Sequence, residues 1–154
     1  EIDAKSIKEY IEYFEDNFLV NTISSYHTKI TEQIKSAKKV YMSDNGFLNL
    51  GINRSLNNGN RLENMIFTIL NRDFENITYI KDTYEIDFFC ENVYYQVSYN
   101  IDDDKTRKRE LGSFNHFNKN NKQKNILITY DTNEQLENAD IVSLEKFVFD
   151  KETK

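Results

Sequence analysis

Cysteine, basic charge and long apolar runs are all scarce in this sequence. Cys90 is the single cysteine, so no internal disulfide can form, and this favours a reducing, cytoplasmic setting. No apolar run approaches the roughly 20 residues that a membrane helix needs, so no membrane association is expected. Acidic residues outnumber basic ones by 26 to 20. The net charge of −6 argues against strong autonomous binding of nucleic acid, whose affinity depends on Lys and Arg.

A phosphate-binding loop is absent too. The chain contains no Gly-x4-Gly-Lys-Ser/Thr motif, so we do not expect it to bind or hydrolyse ATP by itself. Aromatic residues, in contrast, are plentiful, with 10 Tyr and 11 Phe among 154 residues. They supply enough core material to exclude a disordered tail. The length suits one domain, or one domain with a small appendage.

Hydrophobic spacing predicts an ordered series of helices and strands. Before residue 61 it predicts a helix at 3–16, an extended stretch or small hairpin at 18–26, a strand at 38–43 and a loop at 53–60. After it come a helix at 61–74, strands at 77–80, 85–90 and 93–99, a helix that buries Leu111, Phe114 and Phe117, strands at 125–130 and 141–143, and a helix with Phe147. This order predicts an α/β fold, with a mixed sheet flanked by helices and a small α+β segment in front.

Three polar residues fall where this order of elements could bring them together. Glu63 lies in the first turns of the predicted helix, Asp87 in an otherwise apolar strand and Gln96 on the following strand. Metal-dependent phosphodiester cleavage needs hard oxygen ligands for Mg²⁺ and a group that activates water. A helix acid, a strand acid and an acid-x-Lys pair could build such a site. Here Gln96 and Ser98 replace that pair, so a carbonyl ligand is present and the cation is missing.

The same three residues also fit a purely structural interpretation. Buried polar side chains on a helix and two strands can form a network that only fixes the strand register, provided that each is fully hydrogen-bonded. Both interpretations stay open from the residues alone.

Four blocks of this sequence together resemble one family. They are Lys39-Val40-Tyr41-Met42-Ser43-Asp44-Asn45-Gly46, Gly59-Asn60-Arg61-Leu62-Glu63-Asn64, Glu85-Ile86-Asp87-Phe88 and Tyr95-Gln96-Val97-Ser98-Tyr99. The chain is similar, over about residues 39–150, to the C-terminal domain of unknown function that follows the P-loop module in many prokaryotic AAA-type ATPases. Those domains look like members of the PD-(D/E)XK restriction-endonuclease-like superfamily.

The resemblance implies roles for particular positions. Glu63 would be the helix acid, Asp87 the metal-binding aspartate and Gln96 the second strand ligand, with Mg²⁺ as the cofactor. Ser98 stands where the superfamily has its catalytic lysine, and Lys81 is the candidate for a migrated lysine.

The first 38 residues resemble the last helix and wing of a winged-helix module. The resemblance therefore implies a partial winged-helix segment at 1–38, a restriction-endonuclease-like domain at 39–154, and the ATPase module of the same full-length chain as a partner.

The densest basic cluster has two interpretations as well. Arg107, Lys108 and Arg109 could contact the backbone of a nucleic acid such as DNA beside the cleft, or could form a solvated helix face. The aspartates at 102–104 precede the cluster and are expected to cap its helix. Three functions remain: a nucleic-acid-associated or regulatory accessory domain with a degraded metal site, an active Mg²⁺-dependent nuclease, and a protein-docking module.

Overall fold

The computed structural model describes residues 3–49, 57–120 and 122–150. The helices within these residues are α1 (Ala4–Asp16), α2 (Ile30–Lys35), α3 (Asn58–Asp73), α4 (Asp104–Phe117) and α5 (Leu144–Phe149). The strands are β1 (Val20–Ser24), β2 (Lys38–Met42), β3 (Thr78–Lys81), β4 (Glu85–Cys90), β5 (Val93–Val97), β6 (Lys124–Thr129), β7 (Glu134–Gln135) and β8 (Asp140–Ser143). A short 3-10 helix spans Asn45–Asn49. None of the described helices is long and apolar enough to cross a membrane.

Six strands form one mixed sheet in the order β3-β4-β5-β6-β8-β7. The neighbours β3, β4 and β5 are antiparallel, β5, β6 and β8 are parallel, and β7 closes the edge antiparallel to β8. The remaining strands, β1 and β2, pair antiparallel in a small sheet of their own. The predicted α/β fold, a mixed sheet flanked by helices with a small α+β segment in front, is confirmed.

The hairpin between β4 and β5 places the candidate site residues on neighbouring strands. Its connection is Glu91-Asn92, and both residues have positive φ, 46° and 64°. Two central residues with positive φ match the right-handed twist of the flanking strands, so a two-residue connection suffices here. The predicted hairpin is confirmed.

Alternation along β6 divides the core into two layers. Ile126 and Ile128 pack in a cluster with Phe67 of α3 and Phe147 of α5. Leu127, between them, packs in a second cluster with residues such as Phe114 of α4. Because successive side chains of a strand point to opposite faces, one strand serves both layers.

Three local predictions differ from the structure. Helix α3 begins earlier than predicted, at Asn58, because the Asn57 side chain accepts a hydrogen bond from the Asn60 amide and caps the helix. The rest of the predicted loop, 53–56, lies outside the described residues. The stretch at 18–26 contains one strand, β1, and no hairpin. Strand β1 pairs with β2, and α2 lies between them in the sequence. Helix α2 and the two-residue strand β7 were not predicted.

The predicted division between residues 38 and 39 falls inside the small sheet. Strand β2 begins at Lys38 and pairs with β1 from Val20–Met42 to Ser24–Lys38. The division into two domains, 1–38 and 39–154, stays a prediction. Pairing of β1 with β2 joins the two segments through one small sheet.

Candidate functional site

Two clefts meet at Glu63 of α3, beside the β4–β5 hairpin. The larger, of about 520 Å³, is also lined by acids and an amide from β4, β5 and α4: Glu85, Asp87, Gln96 and Glu110. The smaller, of about 300 Å³, is lined by Lys39 and Tyr41 of β2, which share a face of that strand because they are two residues apart.

The ammonium of Lys39 lies among three carboxylates. Its Nζ is 2.6 Å from Glu85 Oε1, and 3.4 Å from both Glu63 Oε1 and Asp87 Oδ1. The Lys39 side chain is 23% exposed. Burial works to lower the pKa of Lys39, yet attraction to the three carboxylates outweighs it and raises this pKa above its usual value. Lys39 therefore stays charged and neutralises part of the acidic cluster.

Asp87 is the most enclosed of the three carboxylates. Its Oδ2 accepts a hydrogen bond of 2.9 Å from the Val97 amide, and its Oδ1 faces Lys39. Burial and the nearby charge of Glu63 raise the pKa of Asp87 to about 7, against the opposing attraction of Lys39. This carboxyl therefore titrates near neutral pH, first because it is buried and then because the negative charge of Glu63 is close to it.

The two outer acids have polar partners besides Lys39. The Tyr41 hydroxyl donates a 2.8 Å hydrogen bond to Glu63. Burial, and then the Glu63 charge, raise the pKa of Tyr41, which is therefore a neutral donor. Glu85 accepts from Lys81 at 2.7 Å as well as from Lys39. Burial tends to raise the pKa of Glu85, but these two hydrogen bonds lower it overall.

Both ends of the Gln96 amide are used inside the protein. Its Oε1 accepts from the Asp87 backbone amide at 3.1 Å, and its Nε2 donates to Glu110 Oε2 at 2.7 Å. Glu110 is itself almost fully buried and accepts from Arg109 on its other oxygen. The predicted ligand Gln96 thus lines the cleft, but both polar atoms of its side chain already have hydrogen-bond partners, on the Asp87 backbone and on α4.

Neither Lys81 nor the residue at position 98 places a lysine beside Asp87. Lys81 reaches the cleft only at its edge, where it contacts Glu85 with a side chain that is 61% exposed. Ser98 is buried, and its hydroxyl donates to the Asn100 carbonyl at 2.9 Å. The lysine beside Asp87 is Lys39, from a strand 48 residues away along the chain.

No group of three or more His, Cys, Asp or Glu side chains is arranged to hold a metal ion in the part of the chain that the structure describes. Glu63, Asp87 and Glu85 do lie together, but the Lys39 ammonium stands between them. The Mg²⁺ site at Glu63, Asp87 and Gln96 remains a prediction.

Most of the basic cluster on α4 is paired with acids. Arg107 contacts Glu134 at 2.5 Å, and Arg109 contacts Glu110, while Lys108 is exposed. Asp103 caps the helix by accepting from the Thr106 amide at 3.0 Å. The expected cap is confirmed for Asp103. A role in binding nucleic acid stays a prediction.

Sequence reasoning missed Lys39, Glu85 and Glu110 as members of the site. The available signal was alternation, because Lys39 with Tyr41 and Glu85 with Asp87 are each two residues apart on predicted strands. The signal for Glu110 was weaker, because this residue follows a run of charged residues on a helix face interpreted as solvated.

Comparisons with known proteins add relatives whose function is not established. The model of a domain of unknown function, DUF8612, matches residues 1–56. The "Uncharacterized protein MJ1544" of Methanocaldococcus jannaschii is 34% identical over 141 residues, which cover 84% of this chain and 31% of that protein. The chain thus spans about a third of the length of this relative. No solved structure is significantly similar to the chain.

Proposed function

We propose that this chain is a nuclease-like accessory domain of a larger, cytoplasmic P-loop ATPase, and that its metal site has been lost. Its role is then nucleic-acid-associated or regulatory, without catalysis. The observation that carries the proposal is the Lys39 ammonium, which lies 2.6–3.4 Å from three carboxylates where a nuclease would hold its cation.

The arrangement of elements agrees with the restriction-endonuclease-like resemblance. A helix with an acid, Glu63, precedes three antiparallel strands, and a second helix leads to a strand parallel to the third. Asp87 and Gln96 lie on the second and third of these strands, as the resemblance implies. This likeness supports the ancestry of the site, whereas fold alone is a weak warrant for activity.

The contacts of the site argue for loss of metal binding. Mg²⁺ prefers an octahedral shell of oxygen ligands and gives up its own water reluctantly. To enter here it would have to displace a half-buried ammonium from Glu63, Glu85 and Asp87. It would also have to draw the Gln96 carbonyl away from the Asp87 amide. The internal cation already provides the charge that the metal would supply.

The proposed parent protein rests on the resemblance and on length. The relative from Methanocaldococcus jannaschii is about three times as long as its matched part, so it has room for a further module. The ATPase nature of that module comes from the resemblance alone.

An active Mg²⁺-dependent DNA nuclease is the second candidate, and one observation favours it. Lys39 lies beside Asp87 and Glu63, so the site does contain a lysine although Ser98 replaces the expected one. If Mg²⁺ moved the ammonium aside, Lys39 could stabilise the developing negative charge. Lys81 and Arg109 would then flank the cleft.

Metal titration separates these candidates. The unmodified chain, Lys39→Met, Asp87→Ala and the matched control Lys81→Met are titrated with Mg²⁺ and Mn²⁺ by calorimetry, and each is incubated with supercoiled and single-stranded DNA. We expect no metal binding and no cleavage by the unmodified chain or the control. We expect weak binding by Lys39→Met, because its three carboxylates lose their internal cation.

The opposite result is equally distinct. Metal binding and nicking by the unmodified chain that disappear in Asp87→Ala would establish the nuclease and overturn the proposal. If no metal binds, retention on DNA at low salt that falls as salt rises supports the nucleic-acid role. Absence of such retention favours the regulatory role, in which the domain docks on protein.

A further inference from the structure

Strand β2, which carries Lys39 into the acidic site, is held at both of its ends by residues of the larger sheet and of α3. At its start, the Tyr79 hydroxyl of β3 donates a 2.7 Å hydrogen bond to the carbonyl of Ala37, the residue before β2. At its end, Asn64 of α3 bonds both backbone groups of Met42. Its Oδ1 accepts from the Met42 amide at 2.8 Å, and its Nδ2 donates to the Met42 carbonyl at 3.0 Å. Lys39 lies between these two contacts.

Tyr79 also contacts the Lys39 side chain itself. The Lys39 Nζ lies over the Tyr79 ring, 5.4 Å from its centroid. A cation within about 6 Å of an aromatic face is attracted by the ring electrons. One residue thus fixes the backbone beside Lys39 through its hydroxyl and faces the ammonium through its ring.

The two contacting side chains are themselves fixed in place. Tyr79 and Asn64 are buried, and every polar atom of their side chains has a hydrogen-bond partner. The Tyr79 carbonyl accepts a 2.7 Å bond from the Tyr26 amide, and Asn64 Nδ2 donates also to Asn45 Oδ1 at 2.9 Å. Because a buried and satisfied polar network is rigid, both residues are able to set where β2 lies.

We propose that Tyr79 and Asn64 are positioning residues, which hold β2 so that the Lys39 ammonium occupies the position where a nuclease would hold its cation. The inference rests on the proposed function, in which Lys39 replaces that cation, and it adds which residues keep the lysine there. A lysine side chain is a flexible four-carbon stem with many conformations. A fixed backbone narrows that choice, and here the Nζ lies 2.6–3.4 Å from three carboxylates at once.

The rate of acylation at Lys39 measures how firmly its ammonium is held. Acetic anhydride reacts with a neutral, accessible amine, so a lysine kept charged among carboxylates reacts slowly. Tandem mass spectrometry gives the rate at Lys39, resolved from its neighbour Lys38, relative to the exposed Lys108 of the same molecule. Tyr79→Phe keeps the ring and removes the hydroxyl, and we expect it to raise this ratio about fivefold, the factor that corresponds to one hydrogen bond. Tyr79→Leu also removes the ring and should raise the ratio further.

Thr78→Val is the matched control. It removes a hydroxyl that donates to the Phe89 carbonyl at 3.2 Å from the residue beside Tyr79, and it should leave the Lys39 rate unchanged. Asn64→Ala should act like Tyr79→Phe from the other end of β2. If circular dichroism shows that Asn64→Ala does not fold, the Tyr79 variants decide alone. An unchanged Lys39 rate in both Tyr79 variants, or an equal rise in Thr78→Val, would overturn the assignment.

Metal titration of the unmodified chain keeps this inference apart from the proposed function. Mg²⁺ binding by the unmodified chain would overturn the proposed function, whatever the acylation rates are. A chain that binds no metal, and whose Lys39 rate does not respond to Tyr79, would leave the proposed function standing and remove the positioning role.

Discussion

The N-terminal part of the molecule, residues 3–49, and the sheet part, residues 57–120 and 122–150, differ sharply in how they use their apolar residues. Of the 23 buried hydrophobic residues described, the sheet part holds 20, and the N-terminal part holds Val20, Ile23 and Tyr41. Of 16 exposed large hydrophobic residues, the N-terminal part holds eleven. The sheet part therefore contains the core that stabilises the molecule, and the N-terminal part contains surfaces suited to binding.

The two parts meet at the acidic site. Tyr41 stacks on Phe67 of α3 at 4.4 Å between ring centroids, and Lys39 enters the carboxylate cluster from the same strand. Strand β2 thus belongs to the small sheet by its backbone and to the larger core by its side chains. The acidic site of the sheet part therefore depends on β2, a strand of the N-terminal part.

The largest expected effect tests where the core lies. Phe88 is fully buried against Tyr41 and Phe67, so Phe88→Ala should lower the free energy of unfolding by about 3–5 kcal/mol. Phe18 is 84% exposed, so Phe18→Ala should change the free energy of unfolding by less than about 0.5 kcal/mol. Urea denaturation followed by circular dichroism measures both. Similar losses in the two variants would contradict the division into a core part and a binding part.

The next effect tests the junction between the parts. Lys39→Met leaves Glu63, Glu85 and Asp87 without their shared cation, and we expect a loss of about 2–3 kcal/mol at pH 8. This figure is below the usual cost of breaking a fully buried pair, because the side chains keep partial contact with water. Lys81→Met, which removes an exposed partner of Glu85, should leave the urea midpoint unchanged. An unchanged midpoint in Lys39→Met as well would mean that the cluster does not join the two parts.

A smaller effect depends on pH and on Asp87. Its pKa is raised from 3.8 to about 7 in the folded chain, so the folded state holds the extra proton between these values. The stability that this proton supplies is complete below the unfolded pKa and is lost as pH rises through 7. Glu85, with its lowered pKa, acts oppositely but only in acid, near and below its ordinary pKa.

Asp87→Asn should remove this pH dependence. Between pH 5 and pH 8 we expect the unmodified chain to lose about 2 kcal/mol of stability relative to Asp87→Asn. Thermal or urea unfolding at four pH values measures the difference. Parallel curves for the two proteins would show that Asp87 is already ionised at pH 5.

Much of the sheet part was predictable from local pattern. The spacing of Leu62, Ile66 and Leu70 marks α3, and the alternation from Glu85 to Val97 marks the β4–β5 hairpin. The pairing of β1 with β2 across α2 was not predictable, because a local pattern does not encode which distant strand completes a sheet. Strand β7 has two residues, too few to show any period.

Two of the four acids of the site, Glu63 and Asp87, were predictable, whereas Glu85, Glu110 and the cation Lys39 were not. Glu63, Asp87 and Gln96 lie on elements with strong patterns, and the structure places them around one cleft. Lys39 comes from another sheet, and Lys81 looked closer only because it is nearer in sequence. Long side chains reach across elements, so their partners depend on tertiary packing.

The smallest expected effect concerns the basic surface of α4, which belongs to the sheet part. It tests whether the sheet part has a binding surface of its own. Arg107 pairs with Glu134 through side chains that are 30% and 40% exposed, so Arg107→Ala should cost only about 0.2–1 kcal/mol. Lys108→Ala removes an unburied charge and should cost less. If α4 binds DNA, both variants should reduce retention on a DNA column and flatten its salt dependence, since each removed phosphate contact lowers that slope by about one. Retention that is unchanged by both variants would leave α4 as a solvated face and confine the binding surfaces to the N-terminal part.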